Sequence, residues 1–229
     1  MGPAVSTRRV GMRDYHYGML QGQPCVLALT RVGKVAAAAT TATLLREFDV
    51  DRVVFTGVAG GLGVDVQVGD VVVGSALVQH DLDASPLLPR YEVPLLSMSR
   101  FAAADELASL LHRCAADFLA GYAGSSLLAS RPALHRGLIA TGDRFINDAA
   151  TVRALRETLP DALCVEMEGA AVAQVCHEFG VPCAVLRTVS DRADHDAPVD
   201  FIAFLREVAS VYSAGILRRF LAALPAPAA

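Results

Sequence analysis

Lysine occurs once in this chain, at Lys34, and charged residues of all kinds make up only 19% of the 229 residues. The 20 basic and 24 acidic residues are spread along the sequence and leave a net charge of −4, so nothing builds the basic stripe that nucleic-acid binding needs. Long hydrophobic runs are missing too. Mean hydropathy is high, at +0.41, yet no window of about 18 residues is free of charge and turn residues, which leaves no membrane-spanning helix. The best apolar run, Val35 to Leu45, is short and carries Thr40, Thr41 and Thr43. The five cysteines (Cys25, Cys114, Cys164, Cys176, Cys183) are odd in number and widely spaced, with no C-x-x-C. That argues against a disulfide framework and against metal ligation, and for buried free thiols in a reducing cytoplasm. Met1 to Arg9 has no apolar core of the kind a signal peptide carries.

What is present is apolar side chain, 53% of the residues, with Ala and Val dominant, which excludes disorder. The length suits one α/β domain over 1–229, with tails expected at 1–8 and 225–229. Strands are expected at Gln23–Leu29, Arg52–Thr56, Val71–Val78, Leu134–Ala140, Ala162–Met167 and Ala184–Val189. Helices are expected at Gly33–Phe48, Arg100–Leu119, Ala149–Thr158, Gly169–Phe179 and Phe201–Leu224. This alternation predicts a single three-layer α/β domain, a central mixed but largely parallel sheet flanked by helices. His80 to Pro94 and Gly121 to Pro132 have no regular pattern, and loops of that length in a compact domain are functional or mobile.

Ligands of α/β sheets bind beyond the carboxyl ends of the strands. The segment Gly57–Gly61 is either a tight strand-to-helix turn or a place where backbone approaches a ligand. It is not a P-loop, because no G-K-[ST] follows. Glu166 and Glu168 sit where an apolar strand meets a small-residue helix. They act either as helix-start carboxylates or as functional groups that need partners to be buried. Asp191, after Ser190 at a strand end, is either a turn residue or a general acid. Phe145 and Ile146 offer an aromatic face and an apolar wall, or ordinary core. His80-Asp81-Leu82-Asp83 has metal-like residue types but no third separated ligand, so a polar loop is preferred. His16, His112, His135, His177 and His195 receive no role.

The strings F-T-G-V-A-G-G-L (55–62), V-G-D-V-V-V (68–73), Q-H-D-L-D-A-S-P (79–86), T-G-D-R-F-I-N (141–147), V-E-M-E-G-A-A-V-A (165–173) and T-V-S-D-R-A-D (188–194) together resemble the nucleoside phosphorylase superfamily. More narrowly they look like the bacterial 5′-methylthioadenosine/S-adenosylhomocysteine nucleosidases, over about Arg9 to Leu224. The resemblance implies hydrolysis of the N-glycosidic bond between adenine and a 5′-thio-substituted ribose, in sulfur-metabolite recycling. It also implies catalytic roles for Asp191, acting on adenine N7, and Glu168, acting on the ribose hydroxyls. Ser190 would hold Asp191, Met167 would pack under the sugar, and Phe145 would stack on adenine. The backbone of Phe145 and Ile146 would read the adenine edge, and Phe201 would close over the site. Val58 and Gly60 would line it, and Val32 would lie beside the 5′-thio arm. No metal and no organic cofactor is implied. The partners implied are a small adenine nucleoside and a second copy of the chain, with loop 80–94, near Leu87 and Pro94, reaching the neighbouring pocket.

Phosphorolytic relatives place an arginine before the glycine segment to hold phosphate. Phe55 occupies that position here, and a phenyl ring offers phosphate neither charge nor donor, which favours water as nucleophile. Two departures from the family stand out. Arg31 replaces a usual glycine. The opening strand and helix, with a glutamate assigned to activating water, have no counterpart, a shortfall of roughly 25 residues on average element lengths. The expectation is a longer reading frame or a truncated chain, and no residue is assigned the water-activating role. The alternatives are a nucleoside phosphorylase and a nucleoside-binding protein with impaired catalysis.

Overall fold

The computed structural model describes residues 5–192 and 201–226. Among these residues, strands and helices alternate as the hydrophobic pattern requires. A hairpin sheet comes first, with β1 (Ser6–Val10), β2 (Arg13–Leu20) and β3 (Gln23–Ala28). Then come α1 (Lys34–Glu47), β4 (Val53–Gly61), β5 (Val71–Gln79), β6 (Arg100–Ala102), α2 (Asp105–Ala120), β7 (Leu134–Thr141) and α3 (Ala149–Thr158). The last elements are β8 (Ala162–Glu166), α4 (Gly169–Glu178), β9 (Cys183–Asp191), α5 (Phe201–Phe204) and α6 (Ser210–Ala223), with a π-helical segment Leu205–Ala209 between α5 and α6.

β1, β2 and β3 pair antiparallel in sequence order, and the other strands run β6-β5-β7-β8-β4-β9. β9 also pairs back onto β5, so β5, β7, β8, β4 and β9 close into a ring. Its longest ladders, β4–β9 and β5–β7, are parallel, whereas the short β4–β8 contact at Gly60 and Gly61 is antiparallel. Closure bends the strands, and the ladder slips at Ala59/Gly60 and Gly74/Ala76, where small residues allow it. Both faces of the ring are covered. Ala37 of α1, Val172 of α4, Val185 and Ile139 share one core cluster, and Leu111 of α2, Ile216 of α6, Val73 and Leu186 share another. This two-sided burial is why β9, buried at all nine positions, reads as a nearly continuous apolar run.

Several expectations are corrected. Gly57 to Gly61 is not a turn but the second half of β4. Glycine is required there for lateral fit: a Cβ on Gly57 would collide with the buried Arg187 guanidinium. Arg100–Leu119 is not one helix. Arg100 to Ala102 pair with the edge of β5 as β6, and α2 starts only at Asp105, where Asp105 and Glu106 suit its positive end. Ser6 to Arg8 are strand rather than tail, because Gly11, at φ 58, turns the chain back into β2. Residues 1–4 and 227–229, His195, and Ala193 and Asp194 of the last motif lie outside the described residues.

Among the described residues, the small sheet and the ring share no ladder. An open groove of about 1220 Å³ lies between them, lined by Met19, Leu27, Phe48, Val54, Phe220 and Leu224 among others. Side chains bridge the two bodies instead: Tyr15 stacks on Phe48 at 5.0 Å between centroids, Gln23 Nε2 donates to the carbonyl of Pro225 at 3.0 Å, and Arg13 Nη2 to that of Ala36 at 3.3 Å. The groove includes Arg52 and Val54, at the amino end of β4, and so lies away from the strand ends described next.

Candidate active site

Ladder register brings the carboxyl ends together. Gly60 is opposite Asp191, Thr141 is opposite Glu166, and Gln79 is opposite Thr141. Two carboxylates of this region differ sharply in what surrounds them.

Glu166 is buried and saturated. Its oxygens accept from Thr141 Oγ1, from the Gly169 N–H at 2.9 and 2.8 Å, from the Glu168 N–H at 3.1 Å, and from Arg187. Thr141 Oγ1 in turn accepts from the Ala170 N–H at 2.8 Å. This is the compensation that a buried carboxylate needs, and it places negative charge at the positive end of α4. Glu166 therefore locks the start of the helix and has no lone pair to spare for a ligand.

Glu168, at the N-cap position of α4, is only partly buried. Its Oε1 accepts from the Gly33 N–H at 2.9 Å, and its Oε2 lies 3.7 Å from Arg187 Nη2. Burial pushes its carboxyl above the usual carboxylate range. The Gly33 hydrogen bond and Arg187 oppose the rise, and the charge of Glu166 adds to it.

Asp191 closes β9 at 4% exposure, and Ser190 Oγ donates to its Oδ2 at 2.8 Å. Phe145, in the loop after β7, is 56% exposed, whereas Ile146 beside it is buried with Leu62 and Val78. The pair thus splits the two sequence readings: Ile146 anchors the loop in the core and Phe145 presents a ring. Met167 is half-buried. Gly60 is buried opposite Asp191. Val58 turns its side chain into the core under α6, the period-two consequence of Phe55 and Gly57 facing Arg187, so only its backbone can line the site. Val32 is 72% exposed in the loop before α1, and Phe201 is part-exposed at the start of α5.

Lys34 ties the surrounding loops. Its Nζ donates to Asp81 at 2.6 Å and to Gln79 Oε1 at 3.1 Å, and its N–H donates to Asp143 Oδ1 at 2.7 Å. The Asp143 N–H donates to Asp81 Oδ2 at 2.8 Å. Asp81 is thus committed to the loop framework. Among the described residues, no three His, Cys, Asp or Glu side chains converge as a metal site would need.

Sequence reasoning missed Arg187. It is fully buried in β9, its guanidinium lies over the Phe55 ring at 4.2 Å from the centroid, and it pairs with Glu166. Its Nε has no hydrogen-bond partner among the described residues. The available signal was a lone charge inside the apolar run Ala184–Val189, which a buried strand tolerates only with partners.

The family model described as "Phosphorylase superfamily" matches residues 4–222. A 5′-methylthioadenosine/S-adenosylhomocysteine nucleosidase of Anoxybacillus flavithermus is 40% identical over 197 residues, which is 86% of this chain and 80% of that protein. The Neisseria meningitidis nucleosidase of the same name, solved in complex with methylthio-immucillin-A, superposes with a TM-score of 0.86 at 37% identity, over 97% of this chain and 91% of that one. A Helicobacter pylori relative, an Asp-to-Asn mutant with 5′-methylthioadenosine in its active site, superposes with a TM-score of 0.85 at 33% identity, over 97% and 90% of the two chains. On fold, on site geometry and on these likenesses, the chain belongs to the phosphorylase superfamily and, within it, to the 5′-methylthioadenosine/S-adenosylhomocysteine nucleosidases.

Proposed function

We propose that this chain hydrolyses the N-glycosidic bond of 5′-methylthioadenosine and S-adenosylhomocysteine, releasing adenine and the 5-thio-substituted ribose. Adenine anion is a poor leaving group, so Asp191 supplies a proton or a strong hydrogen bond to N7 while Ser190 holds the carboxyl in place. As the C1′–N9 bond breaks, positive charge builds on the ribosyl ring, and Glu168, on the ribose hydroxyls, stabilises it. Phe145 stacks on the base, Met167 packs under the sugar, and Phe201 closes the site. Water adds to C1′ and releases one proton as Asp191 gives one to N7.

The observation that carries the hydrolytic reading is the charge balance around Arg187. Its single positive charge is shared between Glu166 and Glu168 and faces the Phe55 ring. An entering phosphate would find its cation already neutralised and a carboxylate nearby. Adenine release from 5′-methylthioadenosine is therefore expected at full rate in phosphate-free buffer, with no ribose 1-phosphate formed. A strict phosphate requirement would establish the phosphorylase alternative.

The shifted Glu168 also fixes a pH dependence. The transition state needs this carboxylate ionised. Burial raises its pKa, so protonation begins at a higher pH than for a free glutamate, and turnover falls as pH drops through that raised value. The charges facing it are Glu166 and Arg187. Glu168→Gln is expected to lose about 10²-fold in kcat and to flatten this acid limb. An acid limb unchanged in the variant would assign it to another group.

A second copy of the chain is the expected partner. Leu87 at 87% exposure, Leu95 at 101% and Val35 at 81% are apolar surface that a homodimer would cover, which supports loop 80–94 reaching the neighbouring site. Free, buried Cys114, Cys164, Cys176 and Cys183 suit a reducing cytoplasm. No helix among the described residues is long and apolar enough to cross a membrane.

A further inference from the structure

We propose that Arg31 is a specificity residue that favours 5′-substituents ending in a carboxylate, so that it raises turnover of S-adenosylhomocysteine relative to 5′-methylthioadenosine. The inference rests on the nucleosidase reading above and adds to it a recognition element for the end of the arm.

Position is the first ground. Arg31 is two residues before Gly33, whose N–H is bonded to Glu168 at 2.9 Å. Two residues span at most about 7 Å, so the Arg31 backbone stands close to the carboxylate that holds the ribose. Val32, between them, is exposed and offers an apolar surface to a thioether chain. An arm that leaves the ribose 5′ carbon past Val32 runs toward Arg31.

Conformation is the second. Arg31 has φ 68, the left-handed region that disfavours any side chain and suits glycine. An arginine stands where the backbone would be better served without one.

The third ground is what the guanidinium does and does not touch. One Nη donates to the Met12 carbonyl at 2.6 Å, and Arg31 makes no ion pair with any described residue. Met12 is in the turn between β1 and β2. Register places Tyr15 opposite Ala28, so this turn stands at the carboxyl end of β3, over the loop that carries Arg31. The anchor holds the group over that loop and leaves most of its five N–H donors for a ligand. A planar fork fixed at one corner is suited to a carboxylate, with the α-carboxylate of a homocysteine arm as the matching chemistry. A methylthio group offers it nothing.

The test compares kcat/KM for the two nucleosides, and for the carboxamide of S-adenosylhomocysteine, in wild type, Arg31→Gly and Arg31→Gln. Glycine suits the backbone, so Arg31→Gly should fold, and Arg31→Gln keeps length without charge. Both are expected to lower the ratio of S-adenosylhomocysteine to 5′-methylthioadenosine turnover by about fivefold, the upper range for an exposed ion pair. Salt is expected to lower the wild-type ratio and leave that of the variants alone. The carboxamide should not distinguish the three proteins. An unchanged ratio, or an equal fall for the carboxamide, overturns the inference. If wild type cleaves neither nucleoside, the nucleosidase reading fails instead, and calorimetric affinities of the acid and the carboxamide for the same proteins still decide whether Arg31 reads the charge.

Discussion

Asp191→Asn is expected to slow adenine release from 5′-methylthioadenosine by about 10²–10⁴-fold, the range lost when a general acid is removed, with little change in substrate affinity. Asparagine has nearly the same shape and keeps an oxygen for Ser190, which now donates to Asp191 Oδ2 at 2.8 Å. Its amide can still offer N7 a hydrogen bond. What it cannot do is give up a proton as the C1′–N9 bond breaks. The loss should therefore fall on kcat rather than KM, because the missing interaction belongs to the transition state. Steady-state adenine release, with the melting temperature as a control for folding, measures both. Equal rates in the two proteins would remove Asp191 from the chemistry, and a matched fall in affinity would make it a binding residue only.

The second large effect is on stability. Arg187→Leu is expected to destabilise the fold by about 3–5 kcal/mol, because it leaves an uncompensated buried charge on Glu166. Arg187 and Glu166 are both almost wholly buried, and the arginine also covers the Phe55 ring at 4.2 Å. Removing the cation strands a carboxylate that still receives the N–H groups of Glu168 and Gly169. The double variant Arg187→Leu with Glu166→Gln should recover much of the loss, since a neutral amide can still accept from the start of α4. Urea unfolding of the four proteins in this cycle gives the coupling directly. A single variant that costs less than about 1 kcal/mol would show that the pair is replaceable.

The layer order, most element positions, and the strand-end placement of Asp191 and Glu168 were legible because they depend on local rules, whereas the roles proposed for those two carboxylates rest on the family resemblance. Period, glycine and proline punctuation, and the strand-end location of α/β sites are each read within a few residues. Arg187 was not legible, because its meaning lies in partners on β4 and β8 that only the closed ring brings near. Phe55 illustrates the same limit. Its identity argued correctly against a phosphate-binding arginine at position 55, but nothing local shows that an arginine from β9 lies on the ring. Gly57 to Gly61 carried an ambiguous signal, since glycine serves a turn and a close lateral approach equally. β6 was hidden because its partner edge on β5 is more than 20 residues earlier in the chain.

Among the described residues the small sheet shares no ladder with the ring and meets the segments packed around it through side chains such as Gln23, Arg13, Tyr15 and Arg8. Opening it would break those few ties and the antiparallel pairs of β1–β3, while every hydrogen bond of the ring stays intact. Its amides should therefore exchange with solvent through a partial opening that costs less than global unfolding. The segment Thr30–Lys34, carrying Arg31 and the N–H on Glu168, follows directly from β3. One wall of the candidate pocket is thus hung from the sheet expected to open first, whereas Asp191 and Glu166 are set in strands of the closed ring.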